Sequence, residues 1–215
     1  MSYRVMILAV LLGRSICLAQ TSAHRPLNVD GGTVVVRVSP TTSPSTLLQL
    51  IQKSPLILDG TVVSLMPTVT TSSGTVTPKL ETHAIVAVRE VLRGTVPNSS
   101  ANILLAQVGG TSGKWDISAK GDPIVAPGER YILFLVSDER SELPNTSGMP
   151  RYAATGVWSG KVSVTAGKVA FLPAAKPGLH VYDNMSVDAF LQLLRDRISR
   201  PYTNTQLPIN LAPPK

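Results

Sequence analysis

The sequence predicts a mainly β fold: a small closed β-barrel with an added β-meander and two short helices. Three observations predict it. Charged residues make up only 15% of the chain, against about 25% in a typical soluble domain, and Val, Thr, Ser, Gly and Pro fill the gap. Between Leu56 and Ser137 four strand-like runs follow one another, separated by Gly and Pro. Two turns ending in glycine, Ser159-Gly160 and Ala166-Gly167, then sit between further alternating runs, as in β-hairpins. At 215 residues the chain is long enough for one domain with its own core plus tails.

The elements follow in order. Arg4, the apolar run Val5–Leu12 and the small residues around Cys17-Leu18-Ala19 have the form of a signal peptide over residues 1–19. Arg14 is unusual there, and a buried N-terminal strand or helix is the alternative. The run is too short to cross a bilayer, and Arg14 stands where a lipoprotein signal needs an apolar residue. Residues 20–43 read as a linker with one possible edge strand at Thr33–Ser39. Leu47, Leu50 and Ile51 have helical spacing, with Ser43 or Ser45 as cap and Pro55 beyond the end. Leu56–Leu65 is almost continuously apolar, as a strand buried on both faces would be. Gly60 within it marks a bulge.

Pro67–Pro78 reads as a polar loop or a mobile hairpin tip, and Glu81–Leu92 as a long strand with apolar residues on both faces. Ile103–Val108 is the third strand. Gly109–Pro127 reads as a long irregular loop carrying Trp115, and Arg130–Val136 is the most hydrophobic strand. Tyr152–Trp158, Lys161–Thr165 and Lys168–Leu172 are expected to form a three-stranded meander over 151–173. A C-terminal helix over 186–199 is capped by Ser186, with Val187, Phe190, Leu191, Leu194 and Ile198 on one stripe. Residues 201–215, with three prolines after Pro201, read as a disordered tail. The expected organisation is thus a single domain over 44–200, with its barrel at 45–137.

Four segments carry a resemblance. The helix, the strand containing Leu58-Asp59-Gly60-Thr61-Val62-Val63-Ser64, the strand end Val88-Arg89-Glu90-Val91-Leu92-Arg93-Gly94 and the strand Gly128-Glu129-Arg130-Tyr131-Ile132-Leu133-Phe134-Leu135 resemble the netrin-like domain. That domain has the fold of the tissue inhibitors of metalloproteinases, and the resemblance implies an OB-like barrel of five strands over Ser45–Ser137. The chain also resembles a group of exported bacterial proteins in which a hairpin like Gly156-Val157-Trp158-Ser159-Gly160-Lys161-Val162 follows the barrel. Those inhibitors chelate the protease zinc through an N-terminal cysteine held by disulfides. Cys17 is the only cysteine here and would leave with the leader, so that mechanism does not transfer.

The chemistry-bearing residues are sparse. Glu81 and His83 lie two apart on one strand face, but no third zinc ligand stands near them. His24 falls in the linker and His180 in a Pro-Gly loop. No Gly-x-Ser-x-Gly elbow is present, and Gly109–Lys114 misses the phosphate-loop pattern at both ends. Glu129 is expected to anchor a strand start or pair with an arginine. The sequence thus offers no catalytic, metal or cofactor residues. Its candidate binding residues are Lys114 and Trp115, an aromatic in a Gly/Ser/Lys loop. Trp158 is expected in the core. Asn98, Asn145 and Asn184 head glycosylation sequons that matter only in a eukaryotic secretory route.

Net charge is +7, with no run of three basic residues, so a solvated surface is the expected reading. Nucleic-acid binding would need several stacking aromatics on a basic groove and is not expected. The functional expectation is an exported, secreted or periplasmic non-catalytic module that binds a protein or cell-surface partner, with protease inhibition as one version. The alternatives are a hydrolase using His83 with an acid, and an envelope-associated scaffold.

Overall fold

The computed structural model describes residues 32–36, 43–71, 79–97, 101–113, 115–138 and 147–200. The expected leader, the disordered tail, most of the linker, and Lys114, His24, Asn98 and Asn145 lie outside the described residues. The fold is mainly β. In chain order it comprises β1 (Gly32–Val36), α1 (Leu47–Lys53), β2 (Leu56–Leu65), β3 (Val69–Thr71), β4 (Lys79–Arg93), β5 (Asn102–Ser112) and β6 (Trp115–Ala119). Then come β7 (Arg130–Ser137), β8 (Arg151–Ala154), β9 (Lys161–Thr165), β10 (Lys168–Phe171), a 3-10 turn (Pro177–Tyr182) and α2 (Val187–Ser199).

Strand pairing positions everything else. β2 pairs antiparallel with both β4 and β7, and β4 pairs with the first part of β5. β8 pairs parallel with β5 and antiparallel with β7. Following neighbours from β2 through β4, β5, β8 and β7 therefore returns to β2. All five of these strands contribute to one apolar cluster, which includes Leu58, Val86, Leu105, Leu133 and Tyr152.

The second part of β5, Gly109–Ser112, leaves that circuit and pairs with β6, and β1 lies parallel on the far side of β6. On the opposite flank β7 pairs with β9, and β9 with β10. The 183–186 segment covers the outer edge of β10. Val169 N–H donates to Met185 C=O at 3.0 Å and Asn184 N–H to Val169 C=O at 2.8 Å.

The continuous apolar runs of β2 and β7 have a direct cause. Side chains alternate across a strand. Leu56, Leu58, Tyr131, Leu133 and Leu135 point into the five-strand cluster. Ile57, Ile132 and Phe134 point the other way, into a second cluster with Leu50, Ile51, Phe171, Phe190 and Leu194 from α1, β10 and α2. Both faces are buried, so neither can be polar. Gly60 sits at a register shift between β2 and β4. A side chain there would begin 2.6 Å from Val86 Cγ1, so the bulge needs glycine.

Several expectations need correction. The residues after β7 do not form a three-stranded meander. β9 and β10 make the expected hairpin, but β8 leaves it for the five-strand circuit, because the six-residue turn at 155–160 separates it from β9. Gly109–Pro127 is not one long loop: it holds the end of β5 and all of β6. Of the two readings of Pro67–Pro78, the hairpin is the one the described residues fit, since β3 pairs antiparallel with β4. The first helix is capped by Thr46, whose Oγ1 accepts from Gln49 N–H at 3.2 Å, not by Ser43 or Ser45. Ser45 instead donates to the Gln49 side chain from both its N–H and its hydroxyl. The Ser186 cap is present as expected, with Ala189 N–H donating to its hydroxyl at 3.3 Å.

Candidate binding hairpin and buried polar groups

Trp115 opens β6. It stands opposite Ser112 on β5 and Gly32 on β1, half-buried. The sequence placed it in a loop; instead β5 runs on through Gly109 and Gly110, at φ +111° and +123°, and pairs with β6. Ile117 and Ala119, two and four residues on, are buried, whereas Asp116 and Ser118 are exposed. Trp115 thus belongs to the less exposed face, at its outer end. Two threonines tie down the hairpin base: Thr82 Oγ1 donates to Gly109 C=O at 2.8 Å, so Thr68 supplies the proton of its 2.9 Å bond to Thr82.

The charged residues of β2, β4 and the start of β7 are held by partners within the fold. Asp59 is 3% exposed and holds Arg130 bidentately, at 2.9 and 2.7 Å, with Arg89 at 3.6 Å. Its hydrogen bond to Asp59 raises the Arg130 pKa. Glu129 anchors the start of β7 as expected, accepting from Ala126 N–H at 2.6 Å, but its second partner is the Tyr131 hydroxyl at 2.7 Å rather than an arginine. Glu90 receives Arg195 of α2 at 2.8 Å, and Arg93 donates to Ile51 C=O at the end of α1.

The two described histidines, His83 and His180, are likewise engaged. His83 Nε2 meets Glu81 Oε1 at 2.5 Å, with His83 buried. The structure therefore brings together the pair that the sequence singled out. His180 lies in the 3-10 turn, with Nδ1 2.8 Å from Asp183 Oδ2 and Nε2 3.2 Å from Ala175 C=O. Asp183 also accepts from Phe171 N–H at 2.8 Å, which fixes the end of β10. Among the described residues no three His, Cys, Asp or Glu side chains stand close enough to share a metal ion. Trp158, expected within a strand and in the core, lies instead in the turn at 155–160, partly buried against the second cluster.

Sequence reasoning missed one group altogether. Lys161, the first residue of β9, is 1% exposed. Its ammonium forms an ion pair with Asp122 Oδ1 and also donates to Gln107 Oε1 and Pro123 C=O, each at 3.2 Å. Gln107 Oε1 takes a second donor, Val125 N–H, at 3.1 Å. Two donors converging on one atom identify it as the oxygen, which leaves Gln107 Nε2 buried without a partner. Burial lowers the Lys161 pKa against the opposing pull of Asp122. No signal in the sequence marks this lysine: it directly follows Ser159-Gly160 and precedes Val162 at the start of β9.

Tyr131 points into the five-strand cluster, and its pKa is raised, first by burial and then by its bond to Glu129. An unfolded tyrosine ionises near 10.0, whereas the folded one keeps its proton. The folded state then binds more protons, so stability falls as pH rises above that value. Tyr131→Phe should flatten this alkaline loss while costing about 1–2 kcal/mol at neutral pH for the lost hydroxyl bond. Urea titrations between pH 7 and 11 check both effects; equal slopes in the two proteins would reject the assignment.

No family model and no curated protein matches this chain.

Proposed function

We propose that the chain is an exported, non-catalytic binding module on a netrin-like, OB-type barrel, which presents the β5–β6 hairpin to a protein or cell-surface partner. The ring of pairings β2–β4–β5–β8–β7, with its one parallel contact at β5–β8 and a shared apolar interior, supports the barrel reading. One observation carries the functional reading. The carboxylates of Asp59, Glu81, Glu90, Asp122, Glu129, Asp138 and Asp183 are each paired to a cation, a histidine, a phenol or a backbone N–H. Groups committed to fixed partners in this way hold a scaffold together. The hairpin runs beyond that scaffold and carries a half-exposed tryptophan at its tip, the residue type most enriched where binding energy concentrates.

Labelled full-length protein should bind intact producer cells or a supernatant protein saturably. Trp115→Ala should weaken that binding ~10–30-fold, as losing a central aromatic contact does, with an unchanged unfolding midpoint. His83→Ala should bind as the parent does. Equal binding by Trp115→Ala, or a hydrolytic turnover that His83→Ala abolishes, would overturn the reading. Inhibition in a metalloprotease panel would identify the partner class.

A further inference from the structure

We infer that the turn at residues 155–160, between β8 and β9, is a latent binding site for an oxygen acceptor, either a carbonyl or a carboxylate. Three buried side-chain atoms without a hydrogen-bond partner among the described residues belong to this turn and the segment seated on it: Trp158 Nε1, Ser159 Oγ and Ser43 Oγ. A fourth, Gln107 Nε2, belongs to the group around Lys161, which follows the turn directly. Ser159 and Ser43 are neighbours in space. A side chain built at Gly156 would begin 3.6 Å from both Ser159 Cβ and Ser43 Cα, and 2.7 Å from Pro44 Cδ.

The chemistry of the three atoms selects the guest. Indole Nε1–H can only donate, and each hydroxyl can donate as well. Such a set calls for an acceptor, and buried donors left unpaired are costly enough to demand an explanation.

The turn is also strained. Val157 has φ +63°, a left-handed conformation that a β-branched residue rarely holds, although glycines flank it at 156 and 160. Gly156, Val157, Trp158 and Ser43 are all half-exposed, whereas Ser159 is fully buried. In the closed form the three donor atoms reach no solvent. Relaxing Val157 out of the left-handed region opens the turn, and an acceptor oxygen entering there pairs with Trp158, Ser159 and Ser43. The apolar part of the ligand meets the indole.

The two tryptophans of the chain make the test specific. In full-length protein labelled on the indole nitrogens, Trp115→Phe assigns the remaining indole signal to Trp158. Acetate and N-methylacetamide are then titrated separately. We expect a saturable shift of the Trp158 signal with one of them: acetate alone identifies a carboxylate site, the amide alone a neutral carbonyl site. Ser159→Ala should raise that dissociation constant ~5–10-fold, the worth of one hydrogen bond. Val157→Gly, which removes the strain and favours the closed turn, should raise the unfolding midpoint and weaken the same shift. A Trp158 signal unmoved by both probes overturns the inference, as does one that merely exchanges with water, or a Val157→Gly protein of lower stability. The Trp115 hairpin reports separately, so failure here leaves the binding-module reading standing, and the reverse also holds.

Discussion

Lys161→Ala should destabilise the protein by about 3–5 kcal/mol, the cost of breaking a buried ion pair from one side. The loss has an identifiable origin. Asp122 is 5% exposed, and without the ammonium its carboxylate stays buried with no counter-charge. Gln107 Oε1 and Pro123 C=O lose a donor at the same time. Against a whole-domain stability of about 5–15 kcal/mol, a loss of that size brings the protein close to unfolding. Lys161→Met combined with Asp122→Asn should recover most of it, because replacing both charges removes the desolvation burden along with the attraction. Urea unfolding of the two proteins separates the outcomes. If the single variant is as stable as the parent, the ammonium is not buried as the structure places it.

The same lysine gives stability a pH dependence. In the unfolded chain it holds its proton up to its ordinary value of 10.5, whereas burial makes the folded protein release it earlier. Between those two points the unfolded state binds more protons, so this group makes stability rise with pH, and the gain levels off above 10.5. The Lys161→Met, Asp122→Asn protein should lack that rise.

Leu194→Asp should detach the C-terminal helix. Leu194 is fully buried, against the cluster that α1, β7, β9 and β10 share. Truncating such a leucine costs about 2–5 kcal/mol, and burying a carboxylate in its place adds more, so the helix leaves rather than pay desolvation. The polar tether does not compensate: Arg195 grips Glu90 with three contacts, but both side chains are well exposed and such a pair is worth at most about 1 kcal/mol. Arg195→Ala should therefore barely move the melting temperature, while Leu194→Asp lowers it sharply and exposes the 187–199 segment to protease. Similar melting temperatures for the two variants would contradict this ranking.

Much of the fold was legible because it rests on local signals. Alternation and glycine punctuation placed β2, β4, β7 and the β9–β10 hairpin, and the Ser186 cap with its apolar stripe placed α2. What escaped was long-range pairing. Tyr152–Ala154 carries an ordinary strand pattern, and nothing local tells that it pairs with β5, about 45 residues earlier, rather than with the hairpin that follows. Trp115 read as a loop residue because Gly109, Gly110 and Gly113 punctuate its surroundings, yet Gly109 and Gly110 lie within β5 and Gly113 in the turn that leads to β6. The site was less legible still. Glu81 and His83 met as their spacing implied, but Lys161, Asp122 and Gln107 come from β9, the β6–β7 connection and β5. No sequence spacing links them.

We propose that the five strands β2, β4, β5, β8 and β7 close into a ring that carries the β5–β6 hairpin. Native-state amide hydrogen exchange tests it most directly at the β5–β8 seam, where Leu104 N–H donates to Pro150 C=O at 2.9 Å and Leu105 faces Tyr152. The account predicts that amides along this seam exchange as slowly as those of β2 and β7, through global unfolding, while Thr111 to Asp116 at the hairpin tip exchange orders of magnitude faster. Seam amides that exchange as fast as the hairpin tip would mean that β8 does not close the ring, and the barrel would have to be abandoned.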